Sequence, residues 1–138
     1  MKNLLTLLFI LPFIVFSQKS VIGEPYNLDG LEIAQFDFTQ PMNYNEATEA
    51  CSKLGDGWRL PTRDELEKIY ENKSKLDGFV SPIISDNSEY FTDNSFYYWS
   101  NSSYDSDYVW CIGFTHKFIA VTLKTSYLYV RAVKKMTE

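Results

Sequence analysis

The sequence predicts an α+β domain in which two helices pack on an antiparallel sheet. Three observations carry that expectation. Two segments, opening at Asn43 and Thr62, each place a glutamate three residues after a capping side chain. Each continues with apolar residues at helical spacing. From Phe96 onward the pattern changes to alternation with period two, which marks strands. Helices followed by a run of strands indicate segregated elements, not a βαβ alternation.

Residues 31–38 alternate in part, with Ile33, Phe36 and Phe38, and read as a first strand. Gln40-Pro41 ends it. Asn43 then caps a helix, with Glu46 at the capping-box position. Ala47, Ala50, Cys51 and Leu54 share one face, and Gly55 is the C-terminal stop. The stretch Gly57-Trp58-Arg59-Leu60-Pro61-Thr62 is the connection to the second helix. Pro61 keeps Leu60 extended. Thr62 and Glu65 cap a helix over residues 63–72, with Leu66, Ile69 and Tyr70 facing inward. Trp58 is expected to be buried against that helix and the sheet.

Residues 78–93 form a longer connection carrying Pro82, Asp86, Asn87 and Asp93; loops of that length are often functional or irregular. Strands are then expected at 96–99, 108–115, 118–123 and 127–133, with a hairpin turn at His116-Lys117. Trp110, Ile112 and Phe114 share a face.

The first residues read as an export signal. Lys2 supplies the positive start, residues 4–16 an apolar run, and Val15-Phe16-Ser17 a cleavage site before Gln18. The run is shorter than the ~20 residues that span a bilayer, and no cysteine follows it to accept a lipid. The expected organisation is therefore a signal peptide at 1–17, a flexible lead-in at 18–30 and one domain at 31–138. Export places the chain in the periplasm, at the cell surface or outside. Loss of Lys2 makes the mature chain one unit more negative than −5. An acidic chain with no basic stripe has no electrostatic footprint for nucleic acid.

Two cysteines, Cys51 and Cys111, enter an oxidising compartment on export. A disulfide between them would close a loop of about 60 residues and stabilise by roughly 4 kcal/mol in the chain-entropy model. The other reading is two buried free thiols.

Catalytic constellations are missing from the pattern. His116 is the single histidine and has no evident carboxylate partner. The cysteines lack the short paired spacing of a zinc site. Asp105-Ser106-Asp107 begins like an EF-hand loop, but Val109 and Trp110 stand where a ligand and the glycine belong. No cofactor and no metal are expected.

The candidate ligand-binding segment is the loop after Trp99, with Asn101, Tyr104, Asp105 and Asp107, and Tyr90 of the long connection as the facing wall. Sugars stack apolar C–H faces on aromatic rings and need amides or carboxylates for their hydroxyls. Loops fixed by rigid strands often carry binding. Trp99 and Trp110 have two readings, core residues or part of that surface, and core burial is the simpler one.

An ordered set of short motifs resembles a known family. Asn43-Tyr44-Asn45-Glu46-Ala47 with Cys51 comes first. Trp58-Arg59-Leu60-Pro61-Thr62 with Glu65-Leu66 follows, then Tyr98-Trp99-Ser100, Val109-Trp110 and Val130-Arg131-Ala132-Val133. The set is similar to the C-terminal domain family of the Legionella collagen-like protein. The major paralogous domains of Fibrobacter share a similar tryptophan-leucine-proline turn. The resemblance covers about residues 31–135. It implies a C-type-lectin-like fold, structural roles for Trp58, Pro61, Trp99 and Trp110, and a role outside the cytoplasm. Binding of sulfated polysaccharides belongs to the collagen-like namesake; this chain is acidic and has no Gly-X-Y tract. The family pattern has a cysteine where Ala132 stands, so a helix-to-sheet bridge through Cys111 would be a displaced version of the family's. The expected function is a secreted, non-enzymatic ligand-binding domain with an extracellular glycan as candidate ligand. The alternative is a structural or adhesion module that contacts another surface protein.

Overall fold

The computed structural model describes residues 20–79 and 96–137. The signal segment and Tyr90 lie outside them, as does most of the 78–93 connection.

Two short strands open the fold. Strand β1 (Tyr26–Leu28) turns at Asp29-Gly30, both at positive φ, into β2 (Leu31–Ile33). A two-residue turn of this kind needs residues that tolerate positive φ, which Asp-Gly supplies. Asn27 Oδ1 accepts the Gly30 N–H at 3.1 Å and closes the turn. Helix α1 (Tyr44–Ser52) starts at Asn43, whose side chain accepts from Glu46 N while Glu46 Oε2 accepts from Asn43 N. Helix α2 (Arg63–Glu71) starts at Thr62 with the same reciprocal pair to Glu65. A 3₁₀ turn (Lys73–Lys75) follows it. Strands β3 (Tyr97–Ser103), β4 (Tyr108–Gly113) and β5 (Phe118–Leu123) form an antiparallel meander, and β6 (Val133–Lys135) ends the described chain.

Among the described residues the strands make two sheets, not one. The order β1-β2-β6 joins the two ends of the domain, with Ile33 opposite Val133. The order β3-β4-β5 is the meander, with Trp99 opposite Cys111 and Trp110 opposite Val121. Three expectations are corrected here. The lead-in contains β1. The strand expected at 31–38 stops at Ile33, after which Ala34 N donates to Ala132 O and Phe38 N to Val130 O. The strand expected at 127–133 is displaced to Val133–Lys135. Its first half serves two partners at once: Leu128 exchanges backbone bonds with Met42, and Tyr129 N donates to Tyr97 O. Period-two alternation marks an extended chain but not which neighbour the chain pairs with.

Strand β3 lies between two apolar clusters. Tyr98 and Trp99 point to opposite faces, as consecutive strand residues must. Trp99 belongs to a cluster with Ala47 and Cys51 of α1, Trp58, Leu60 and Val130. Tyr98 belongs to one with Leu66 and Ile69 of α2, Ile33, Ile112 and Val133. Trp58, Pro61 and Trp99 are buried, and Trp99 Nε1 donates to Met42 O at 2.8 Å.

A polar staple crosses this core. Arg131 is 1% exposed and Asp37 4%. Arg131 Nε donates to Asp37 Oδ1, and Tyr98 OH donates to Asp37 Oδ2. Arg131 Nη1 and Nη2 donate to the carbonyls of Ala34, Gln35 and Asp77, and its guanidinium lies 4.2 Å from the centre of the Phe79 ring.

The disulfide between Cys51 and Cys111 is not formed; both are buried free thiols. No Cα of α1 comes within 8 Å of a Cα of β4, beyond the ~7 Å a bridge can span. Cys51 sits in the core under Trp58 and Trp99, while Cys111 Sγ lies 3.6 Å from the Ala120 carbonyl of β5. Burial pushes each thiol up to about 12.

Candidate functional site

The hairpin between β3 and β4 is built by its own polar residues. Asp105 Oδ1 accepts the N–H groups of Asp107 and Tyr108, each at 2.8 Å. That is an Asx-type turn, in which a short carboxylate replaces a backbone acceptor. The backbone N–H groups of Tyr104 and Asp105 both donate to Tyr108 O. Lys124 N donates to Asp107 O at 2.9 Å and ties the loop to the end of β5.

The base of the hairpin is docked on the turn that opens α2. Asn101 N donates to Pro61 O at 2.8 Å, and Asn101 Nδ2 donates to Leu60 O at 3.2 Å. Arg63 N donates to Ser102 Oγ at 2.9 Å. These bonds bring Arg63 over β4, where its guanidinium lies 4.3 Å from the centre of the Trp110 ring.

Trp110 belongs to neither apolar cluster; it is half-buried. Tyr104 meets it edge-on, with ring centres 5.5 Å apart. Tyr108 shares the face of Trp110, and their partners across β5 are Leu123 and Val121. Tyr104 is 59% exposed, Tyr108 37% and Leu123 43%. One face of the meander therefore carries an open apolar strip, with Arg63 on its α2 side. Asp105 and Asp107, on the hairpin at its end, are exposed.

The residues expected at the site have separate positions. Tyr104 stands on the strip and Asp107 on its rim. Asp105 is exposed, but its Oδ1 shapes the turn. Asn101 is exposed, with its amide nitrogen committed to Leu60. Tyr90 lies outside the described residues. Sequence reasoning missed Arg63, Val121 and Leu123. In the sequence Arg63 is only the first residue of a helix, and nothing local to it signals a tryptophan far along the chain.

A second concavity, a cleft of about 220 Å³, is lined by Glu24, Gln35, Lys75, Asp77 and Arg131, among others. Its walls are already paired with each other. Gln35 Oε1 accepts from Glu24 N at 2.9 Å, Gln35 Nε2 donates to Asp77 Oδ2 at 3.4 Å, and Arg131 is held by carbonyls and Asp37. It is the outer end of the staple.

Among the described residues no group of three or more His, Cys, Asp or Glu side chains could hold a metal ion. His116 is exposed in the turn between β4 and β5. No described helix is long and apolar enough to cross a membrane.

The family model of the Lcl C-terminal domain matches residues 20–134. No curated protein matches the sequence. Among solved structures, one similar chain is that of EMS16, described as an antagonist of the collagen receptor integrin alpha2beta1. It is 16% identical, with 81% of this chain and 97% of that chain covered and a TM-score of 0.48. Another comes from the complex of a von Willebrand factor mutant A1 domain with botrocetin. It is 14% identical, with 80% and 95% covered and a TM-score of 0.47.

Proposed function

The chain belongs to the Lcl C-terminal domain family, and from that premise we propose that it is an exported, non-enzymatic binding domain whose ligand lies on the strip around Tyr104 and Trp110. The observation that carries this reading is the open face of the meander. Tyr104 of the hairpin and Tyr108 and Leu123 of paired strands are exposed together, an apolar patch of the kind that marks interaction sites. The strip is held at its base by Asn101 and Ser102 and at its tip by Asp105. Capture therefore needs little reordering, which limits its entropic cost.

The ligand class proposed first is a glycan. A sugar ring laid on Tyr104 would present hydroxyls to Asp107 and to the edge of the hairpin. The aliphatic pair Val121 and Leu123 favours a second reading, an adhesion module whose partner is a surface protein. A glycan array probed with the mature protein, with and without calcium, separates the two. Exposed ring contacts contribute about 0.5–1.5 kcal/mol. Tyr104→Ala should therefore weaken sugar binding by roughly three- to tenfold. Its melting temperature should barely move, because surface substitutions usually stay within about 0.5 kcal/mol. Unchanged glycan binding in this variant would remove the strip as the site. An empty array, with a surface protein captured through Leu123, would give the second reading first place.

A further inference from the structure

We infer that Arg63 reads a carboxylate on the ligand, so that the strip selects an acidic sugar of the uronic-acid type over a neutral one; this rests on the strip being the binding face. Each of the other two arginines is spent inside the protein. Arg59 grips Glu65 through both Nη atoms at 2.7 and 2.9 Å, and Arg131 is buried with Asp37. The Arg63 side chain makes no hydrogen bond and no ion pair among the described residues. Its Nε is buried without a partner. Nη1 and Nη2 also lack partners yet are not enclosed, so they reach solvent on this half-buried residue. The nearby acid Glu67 is bonded to Lys117 Nζ at 2.9 Å, and Arg63 acts on it only through space as the weaker of the two cations that lower its carboxyl.

The guanidinium carbon lies over the Trp110 ring at 4.3 Å, which restrains the group, and its Nη atoms remain open to solvent. A planar fork held in place, with solvent at its Nη end, matches a carboxylate in two parallel bonds. The exposed Tyr104 ring, 5.5 Å from Trp110, and Arg63, 4.3 Å from it, both border the same indole, so a pyranose on the tyrosine would direct its carboxylate toward Arg63. The acids at the rim set the limit. Asp105 and Asp107 would repel a ligand carrying many negative charges, whereas a single carboxylate can sit on a single cation.

The test uses the methyl glycoside of galacturonic acid, which carries a single carboxylate, and its methyl ester, which keeps the ring and removes the charge, in calorimetric titrations of the mature protein at low salt. Hydrogen bonds to charged groups are the stronger class, so the acid should bind about tenfold more tightly than the ester. Arg63→Gln should bring that ratio to about one with an unchanged melting temperature, and Arg63→Lys should keep part of it. A ratio of one in the parent, a preserved ratio in Arg63→Gln, or no binding of either compound would overturn the inference. Tyr104→Ala distinguishes the two levels. If it weakens acid and ester alike while Arg63→Gln does nothing, the binding face stands and only the role of Arg63 is lost.

Discussion

Cys51 and Cys111 are two buried thiols, and neither can reach the other. Cys51 is enclosed by α1, Trp58 and Trp99, and Cys111 by β5. Burial disfavours the thiolate and pushes both groups up to about 12. The thiolate is the reactive species, so both should be inert in the folded protein near neutral pH. A thiol assay should find almost no reaction under native conditions and two free thiols after denaturation, with the same melting temperature in the presence and absence of reductant. Recovery of a Cys51–Cys111 peptide from a non-reducing map would contradict this. At the same scale, Asp105 and Asp107 differ although the sequence sets them two residues apart. The carboxylate of Asp105 anchors two N–H groups of the turn; Asp107 contributes its carbonyl and leaves its side chain exposed. Asp107→Ala is therefore the cleaner probe of binding, whereas Asp105→Ala also loosens the turn.

At the scale of elements, the turn into α2 is the most consequential piece. Burial alone would raise the Glu65 carboxyl. Hydrogen bonds from Arg59 and from Thr62 outweigh it and hold the group below its ordinary value. A lowered folded value stabilises above the unfolded carboxylate range, near ~4.3, and that stability is lost as pH falls through the lowered value. Glu65→Gln should therefore flatten the dependence of stability on pH below about pH 4.3, and it should lower stability at neutral pH. Parallel acid-unfolding curves for parent and variant would refute the assignment. The cap of this turn was legible in the sequence because its bonds are local, Thr62 to Glu65 and back; the bonds that dock the turn on Asn101, Ser102 and Val133 were not, since those partners are distant in sequence. The capping box at Asn43 was legible for the same reason. The end of the chain was not, because residues 128–131, where alternation sets a strand, divide their bonds among Met42, Tyr97, Phe38 and the staple, all distant in sequence, and β6 starts only at Val133 beside β2. Nor was the position of Trp110. Alternation places it on a face of β4 but cannot say that α2 covers only part of that face, so the residue best placed to join the site was read as core. Arg63 was hidden for a related reason, since its distinguishing mark is the partner it lacks.

The whole molecule is held by a few groups that span its layers. Strand β3 presents Trp99 to the α1 side and Tyr98 to the α2 side, and the staple of Asp37, Tyr98 and Arg131 passes between them. Arg131 also satisfies the carbonyls of Ala34 and Gln35, where the chain leaves β2, and of Asp77, where it leaves the 3₁₀ turn. Removing one partner of a buried ion pair leaves the other charged and unsolvated, at a cost of about 3–5 kcal/mol. Arg131→Met keeps the volume and removes the charge. It should lower stability by that amount in urea titrations, while Tyr104→Ala at the open strip stays near the parent. Tyr98 supplies a second measure of the same staple. Burial, and then the neighbouring Asp37 carboxylate, raise its hydroxyl well above the ordinary tyrosine range. A raised folded value stabilises fully below the unfolded value, near ~10, and the stability is lost as pH climbs above it. The buried thiols act in the same direction from about pH 8.5, so the parent's alkaline slope has two sources. Tyr98→Phe should remove only the part above about pH 10, at the cost of one hydrogen bond to Asp37. An alkaline limb identical in parent and Tyr98→Phe would mean that the hydroxyl is not held as the structure places it.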